Sequence, residues 1–232
     1  MSRWGAVILA GGHGRRMGTK TPKQFLSLCG KPVIWYSLKA FSDTEAEDLV
    51  LVVPAGEAAF CRAEYVEKYG FTKVKAVVEG GRERYDSVYA GLLALRDSPC
   101  DYAAVHDGAR PLVSPELITR TFRDAEKYGG AAAAVPVKDT IRRADAAQFS
   151  AGTLPRRELW AMQTPQSFRF SLLLGAYEEM QHHPEKKTDI TDDVMVAEEF
   201  GKIRVLLTRG EYRNLKITTA EDLAAAEAYL RM

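Results

Sequence analysis

Short runs of small and β-branched apolar residues recur along the chain, separated by longer stretches whose apolar positions repeat at helical spacing. Ala6 to Ala10, Leu49 to Pro54, Val74 to Glu79, Tyr102 to Asp107 and Ala131 to Val137 are apolar over most of their length, as expected for parallel strands buried on both faces. Between them, Pro32 to Ser42, Gly56 to Tyr69, Arg84 to Arg96 and Pro115 to Tyr128 carry amphipathic helical patterns and supply the crossovers that parallel strands require. Ser114 followed by Pro115 reads as an N-cap with proline at the first helical position. This order predicts an α/β fold, a Rossmann-like doubly wound and mostly parallel sheet, in a single domain over residues 1–232.

After Val137 the rhythm breaks. Lys138 to Leu159 is polar, has no helical period and is rich in Arg, Asp and small residues; a long irregular segment inside a compact domain is usually functional or mobile. The pattern resumes with a helix over Phe170 to Gln181, a polar segment His182 to Thr191, a helix over Asp192 to Phe200, a strand Ile203 to Thr208 and a last helix Ala220 to Leu230, which Thr219 can cap.

Composition narrows the function classes. The 32 Lys plus Arg against 31 Asp plus Glu leave a net charge of +1, so nothing global points to nucleic acid or an anionic membrane, and any basic site is local. No apolar run approaches the ~20 residues of a spanning helix, and the N-terminus reads as no signal peptide. Cys29, Cys61 and Cys100 are odd in number and far apart, which fits neither a disulfide framework nor a metal pair and suggests free thiols in a reducing cytoplasm. The four histidines, His13, His106, His182 and His183, lack metal-ligand spacing.

The first strand runs into Ala10-Gly11-Gly12-His13-Gly14-Arg15-Arg16-Met17-Gly18, where open α/β sheets bind ligands, beyond the carboxyl end of a strand. Glycines let backbone N–H groups approach phosphate oxygens, and Arg15, Arg16, Lys20 and Lys23 can neutralise a triphosphate. Two familiar loops are excluded. Gly12-His13-Gly14 lacks the third glycine of a dinucleotide site, and the Gly-Lys pairs at Gly30 and Gly201 are followed by Pro32 and Ile203 rather than Ser or Thr. The third and fourth strands lead into Gly80-Gly81-Arg82-Glu83-Arg84-Tyr85-Asp86-Ser87-Val88 and His106-Asp107-Gly108-Ala109-Arg110-Pro111 on the same sheet edge. A carboxylate there, Asp107, is a suitable Mg²⁺ ligand, because Mg²⁺ takes few protein carboxylates plus phosphate oxygens.

With Thr21-Pro22-Lys23-Gln24-Phe25 and Gly30-Lys31-Pro32 added, the sequence resembles the cytidylyltransferases of the nucleotidyltransferase fold. Val137-Lys138-Asp139-Thr140-Ile141, Leu159-Trp160-Ala161-Met162-Gln163-Thr164-Pro165-Gln166, Ile190-Thr191-Asp192-Asp193 and Asn214-Leu215-Lys216-Ile217-Thr218 narrow it to the 2-C-methyl-D-erythritol 4-phosphate cytidylyltransferase family, and the likeness runs from Ala6 to about Leu230. The resemblance implies a nucleotide-diphospho-sugar transferase type of sheet with a protruding β-arm at about 138–159 that joins a second subunit into a homodimer. It implies CMP transfer from CTP to a methylerythritol phosphate in isoprenoid precursor synthesis, with Mg²⁺. Arg16, Lys23 and Lys216 become the catalytic candidates, and Ala10, Gly11, Gly12, Gly14, Gly81, Arg82, Ser87, Asp107 and Gly108 join them around CTP. Asp107 is also the metal candidate, while Thr140, Arg156, Thr164 and Arg110 fall to the acceptor, Thr140 and Arg156 across the dimer interface. Two positions depart from the family's commonest pattern: Arg82 stands where an acidic residue is usual, and Gly108 where alanine is usual.

The nearest rival is transfer to ribitol 5-phosphate, which shares the glycine loop, the Pro-Lys-Gln and the Asp-Gly-Ala-Arg-Pro segments; the arm motifs favour methylerythritol. Guanylyl or uridylyl transfer to a sugar 1-phosphate is more distant. A nucleotide-binding regulator without catalysis predicts a damaged charge set, yet Arg16, Lys23, Asp107 and Lys216 are all present.

Overall fold

A computed structural model describes residues 2–12, 21–187 and 189–232. In chain order its elements are β1 (Trp4–Leu9), a small hairpin of β2 (Ser27–Leu28) and β3 (Lys31–Pro32), α1 (Val33–Ser42), β4 (Ala46–Val53), α2 (Ala58–Cys61), β5 (Val74–Glu79), α3 (Arg84–Leu95) and β6 (Tyr102–Asp107). There follow α4 (Pro115–Tyr128), β7 (Gly130–Pro136), β8 (Arg142–Ala144), β9 (Ser150–Thr153), β10 (Trp160–Arg169), α5 (Phe170–Gln181), α6 (Asp193–Glu199), β11 (Leu206–Arg209) and α7 (Ala220–Leu230). Seven strands form one sheet in the order β11-β7-β10-β6-β1-β4-β5.

The sheet is parallel except for β10, which runs antiparallel to both its neighbours, β6 and β7. From β1 the chain winds outward to β4 and β5, then returns to place β6 on the other flank of β1. The reversal puts a crevice at the carboxyl ends of β1 and β6, where sheets of this kind take their ligands.

Successive strand residues face opposite sides of a sheet, and the core divides accordingly. Ala6 and Ile8 of β1, with Leu49 and Leu51 of β4, pack under α1 and α4 through Ile34, Leu38, Phe41, Leu117 and Phe122. Val7, Val50, Val52 and Val105 pack on the other face against Val88, Leu92 and Leu95 of α3 and against α5 and α6. Both faces are therefore covered, which explains why the strands read as continuous apolar runs. A smaller cluster of Leu28, Val33, Leu112, Ile217 and Ala226 fastens α7 and the segment before it to the β2–β3 hairpin.

The local punctuation behaves as its chemistry requires. The hydroxyl of Ser114 accepts the N–H of Leu117 at 3.1 Å, Asp192 accepts that of Met195 at 3.0 Å, and Thr219 with Asp222 forms a capping box; such caps contribute about 1 kcal/mol each. Two elements differ from the sequence pattern. The helix expected over 56–69 is one α-helical turn followed by a π-helical stretch, Arg62–Glu67; its buried residues Cys61 and Val66 stand five apart, the spacing that an i→i+5 turn stacks. The other is β10, a strand not anticipated because Gln163, Thr164, Gln166 and Ser167 make it polar. All four are buried, and each is hydrogen-bonded, Gln166 to the first turn of α6 and Ser167 to Thr121.

No helix among the described residues is long and apolar enough to cross a membrane, and the three cysteines carry no disulfide. Among the described residues the arm strands β8 and β9 pair only with each other, and residues 139–153 are exposed throughout.

Gly91, inside α3, faces β1 and β4: a β-carbon there would lie 2.3 Å from Cγ1 of Val7 and 3.0 Å from Cγ2 of Val52. Alanine for a mid-helix glycine ordinarily gains ~1 kcal/mol, but overpacking costs roughly 1–3 kcal/mol. Gly91→Ala is expected to lower the Tm in thermal unfolding, with a double-mutant cycle against Val7→Ala returning a coupling of at least ~0.5 kcal/mol. A raised Tm would contradict this packing.

Candidate active site

The carboxyl ends of β1 and β6, the loop from β5 into α3, and the segment after β11 enclose a cavity of about 590 Å³, a size suited to a small-molecule ligand. On the β1 side lie Gly11 and Gly12, with Lys23 and Gln24 beside them. Gln24 fixes that side: its buried side-chain amide donates to the carbonyls of Ala10 and, at 3.0 Å, of Gly12. A β-carbon on Gly12 would meet nothing within 4 Å, so this glycine leaves the backbone open to the cavity rather than filling a packing demand. Ala10 is buried beneath, donating its N–H to Val52.

On the opposite side Gly81, Arg82 and Ser87 line the wall. The loop is held by a capping box between Glu83 and Asp86 and by Ser87, whose hydroxyl accepts the Gly81 N–H and donates to the Glu83 carbonyl, both at 3.2 Å. The turn tolerates no side chain at Gly81, whose β-carbon would fall 2.3 Å from that of Asp86. Arg82 projects almost wholly into solvent at the rim. At the end of β6, Gly108 is pressed against α1: an alanine β-carbon would stand 2.4 Å from Cδ1 of Ile34 and 2.8 Å from the carbonyl oxygen of Leu9. Glycine here matches the close approach of β1, β6 and α1.

Asp107 closes the floor. Its carboxylate is 11% exposed and meets three cations, Lys216 Nζ at 2.8 Å and Arg110 Nε at 3.6 Å on Oδ2, and Arg84 Nε at 3.5 Å on Oδ1. Burial alone would push the carboxyl up; Lys216, Arg84 and Arg110 overcome it and hold Asp107 far below the usual carboxylate range. Arg84 also makes a two-pronged pair with Asp193, at 3.0 and 2.7 Å, and Asp193 accepts the Tyr177 hydroxyl at 2.6 Å. Arg110 donates to the carbonyls of Asn214 and Met162. Burial lowers its pKa, with Asp107 opposing.

Lys216 reaches this point because the irregular segment carrying it is tied down from several sides. Asn214, fully buried, donates to the Thr164 carbonyl at 2.9 Å, Gln163 brackets Glu211 with both ends of its amide, and the Ile217 N–H donates to the Ala109 carbonyl at 2.9 Å.

A model of 2-C-methyl-D-erythritol 4-phosphate cytidylyltransferase, the IspD family, matches residues 5–232. A Clostridium botulinum protein of that name is 46% identical over 96% of this chain and 96% of its own, and one from Pelotomaculum thermopropionicum is 45% identical over 100% of this chain and 95% of its own. Among solved structures, 4-diphosphocytidyl-2C-methyl-D-erythritol synthase from Anaerococcus prevotii superposes with a TM-score of 0.83 at 30% identity, covering 100% of this chain and 99% of that one. The chain belongs to the IspD family.

Of the IspD residues expected from the sequence, Ala10 and Gly108, expected at CTP, are buried behind the cavity lining rather than on it. Gly11, Gly12, Lys23, Gly81, Arg82, Ser87, Asp107 and Lys216 line one cavity; Gly14 and Arg16 lie outside the described residues. Thr164 and Arg110 sit beneath Asp107 rather than on the cavity lining. The Thr164 hydroxyl accepts the Asp107 N–H at 3.0 Å and bonds His106 Nδ1 at 3.0 Å, so both residues, expected at the acceptor, are already committed to the floor. Thr140 and Arg156 are exposed at the root of the arm, away from the Asp107 cavity, with Arg156 donating to the Lys138 carbonyl at 2.9 Å. Arg84, Asp193 and Gln24 were given no role from the sequence; the spacing of Glu83 and Asp86, a capping box in the structure, is the signal that could have marked the helix start that presents Arg84.

No group of three or more His, Cys, Asp or Glu side chains among the described residues is placed to hold a metal. A single ionised, cavity-lining carboxylate fits Mg²⁺ brought in on phosphate oxygens, since Mg²⁺ commonly uses one or two carboxylates.

His106, next to Asp107, is fully buried and stays neutral. Burial drops its pKa to about 3, with Asp107 opposing and Arg110 and Lys216 assisting. In the unfolded chain its imidazole takes a proton below about 6.5, so stability falls as pH drops from about 6.5 toward 3. The Asp107 contribution is lost only at pH below the ordinary carboxylate value. Between pH 6.5 and 4.5 the Tm of the wild-type chain is therefore expected to fall more steeply than that of His106→Gln, whereas parallel curves would contradict the burial of a neutral imidazole.

Proposed function

We propose that this protein transfers CMP from CTP to 2-C-methyl-D-erythritol 4-phosphate, giving 4-diphosphocytidyl-2-C-methyl-D-erythritol and pyrophosphate. The observation that carries the reading is one cavity at the reversal of strand order, with a glycine-lined wall on each side and Lys23, Asp107 and Lys216 all on its lining. Membership of the IspD family names the donor and acceptor and does not favour ribitol 5-phosphate.

The chemistry follows from the charges. A phosphate oxygen of the acceptor attacks the α-phosphorus of CTP in line and pyrophosphate leaves. The nucleophile is already an anion, so no general base is needed, and the protein contributes alignment and charge stabilisation. Gly11 and Gly12 cradle the triphosphate, Gly81 and Ser87 take the cytidine side, and Lys23 and Lys216 face the charge that develops on the α-phosphate and leaving group; the roles that the resemblance gives to Gly14 and Arg16 fall on residues outside the described ones. Mg²⁺ bound beside Asp107 would supply neutralisation of the triphosphate charge.

The acceptor's phosphate falls to Thr140 and Arg156 of a second copy. Support comes from the arm: among the described residues its two strands pair only with each other, Ile141 is exposed and Phe149 is 72% exposed. Such apolar side chains on a protruding element suit burial against another subunit.

Pyrophosphate release with CTP and Mg²⁺ is expected with methylerythritol 4-phosphate and not with ribitol 5-phosphate; activity with ribitol 5-phosphate alone would move the acceptor, and silence with both would remove the assignment. Lys23→Ala and Lys216→Ala should both turn over at least ~100-fold more slowly, Lys216→Ala also with a lowered Tm because Asp107 loses its nearest cation, near-parental rates for both being the result that sinks their role. Arg156→Ala should weaken acceptor binding while CTP affinity, titrated separately, stays nearly unchanged. Equal weakening of both would refute the proposed division of labour.

A further inference from the structure

The loop that carries Gly81 also delivers Arg84, the first residue of α3, whose three guanidinium nitrogens are all committed to carboxylates. Two face Asp193 at 3.0 and 2.7 Å, and Nε faces Oδ1 of Asp107 at 3.5 Å. Asp193 has no exposed surface and is pinned in turn, its N–H taken by Gln166 at 2.9 Å and its carboxylate by the Tyr177 hydroxyl. Arg84 thereby ties the loop before α3, the start of α6 and the end of β6 together.

The two oxygens of Asp107 are divided between partners, with Arg84 on Oδ1 and Lys216 and Arg110 on Oδ2. A carboxylate without a partner on one oxygen is free to rotate and offer both to the nearest cation. Lys216, at 2.8 Å and with 37% of its side chain exposed, is the most exposed of the three cations, whereas Arg110 is held by two carbonyls. Arg84 therefore limits how far Asp107 can neutralise Lys216 and where its ammonium can stand. We infer that Arg84 is a positioning residue for the transfer reaction, held by Asp193 and acting through Asp107 on Lys216. This inference rests on the reading of the cavity as the CTP site.

Because Lys216 is assigned to charge that develops in the transition state, its misplacement lowers kcat more than it raises KM. Arg84→Lys keeps the charge, but a point ammonium cannot bridge two carboxylates as the planar guanidinium does. The double variant Arg84→Met with Asp193→Asn removes both members of a buried ion pair, the change that best spares folding.

Both variants, Asp193→Asn alone and the wild-type chain are compared in thermal unfolding and in pyrophosphate release with CTP, Mg²⁺ and methylerythritol 4-phosphate. The expected result is kcat lower by at least ~10-fold in each, a KM for CTP within ~3-fold of wild type, and for the double variant a Tm restored above that of Asp193→Asn alone. A double variant that regains kcat together with its Tm would reduce the pair to a structural tie, and full activity in Arg84→Lys would reduce Arg84 to its charge. Either outcome overturns the positioning role, as does a loss confined to KM. A wild-type chain that releases no pyrophosphate overturns the CTP reading itself and this inference with it, so the two failures are told apart by the wild-type control.

Discussion

The carboxylate of Asp107 is the centre on which the rest of the site depends. A buried anion is tolerated only when compensated, and here Lys216, Arg110 and Arg84 converge on it from three separate parts of the chain. Removing one partner from a buried pair typically costs roughly 3–5 kcal/mol, a large part of the roughly 5–15 kcal/mol that holds a domain folded. The same charges that pin β6, α3 and the Lys216 segment together thus make the wall of the cavity, so folding and site assembly are one event at this point.

The sheet supplies the geometry for that convergence. β1 and β6 bring the glycine loop and Asp107 side by side because the strand order reverses there. The antiparallel strand β10 then slots between β6 and β7 and spends its polar side chains on the floor. Thr164 takes the Asp107 N–H, Gln163 brackets Glu211 and Gln166 caps α6. A wholly apolar strand in that place would fill the core equally well but would leave the N–H groups of Asp193 and Val194 and the main chain of Glu211 without their side-chain partners.

Elements defined by local rules were legible in the residues alone. Continuous apolar runs marked β1, β4, β5, β6 and β7, and Ser114 and Thr219 marked helix starts by their capping chemistry. The cavity's glycines, Lys23, Asp107 and Lys216 were legible because they cluster at strand ends or in motifs of the family. What escaped was set by contacts between residues far apart in sequence. Arg84 and Asp193 are 109 positions apart, and neither is unusual at its own site; β10 looked like a motif rather than a strand because its polarity is satisfied only by the fold. The arm is the reverse case, since its polar, aperiodic residues carry no signature of a hairpin, and only the resemblance to known proteins assigned it a purpose.

Asp107→Asn is the most direct test of the site, because it preserves shape but removes the charge shared by Lys216, Arg110 and Arg84. Turnover of CTP and thermal unfolding, measured on the same preparation, should both suffer, with a rate at least ~100-fold lower and a Tm lowered by several degrees. A variant that keeps the parental Tm and parental turnover would mean that the three cations need no common anion, and the Asp107-centred account of this site would be wrong.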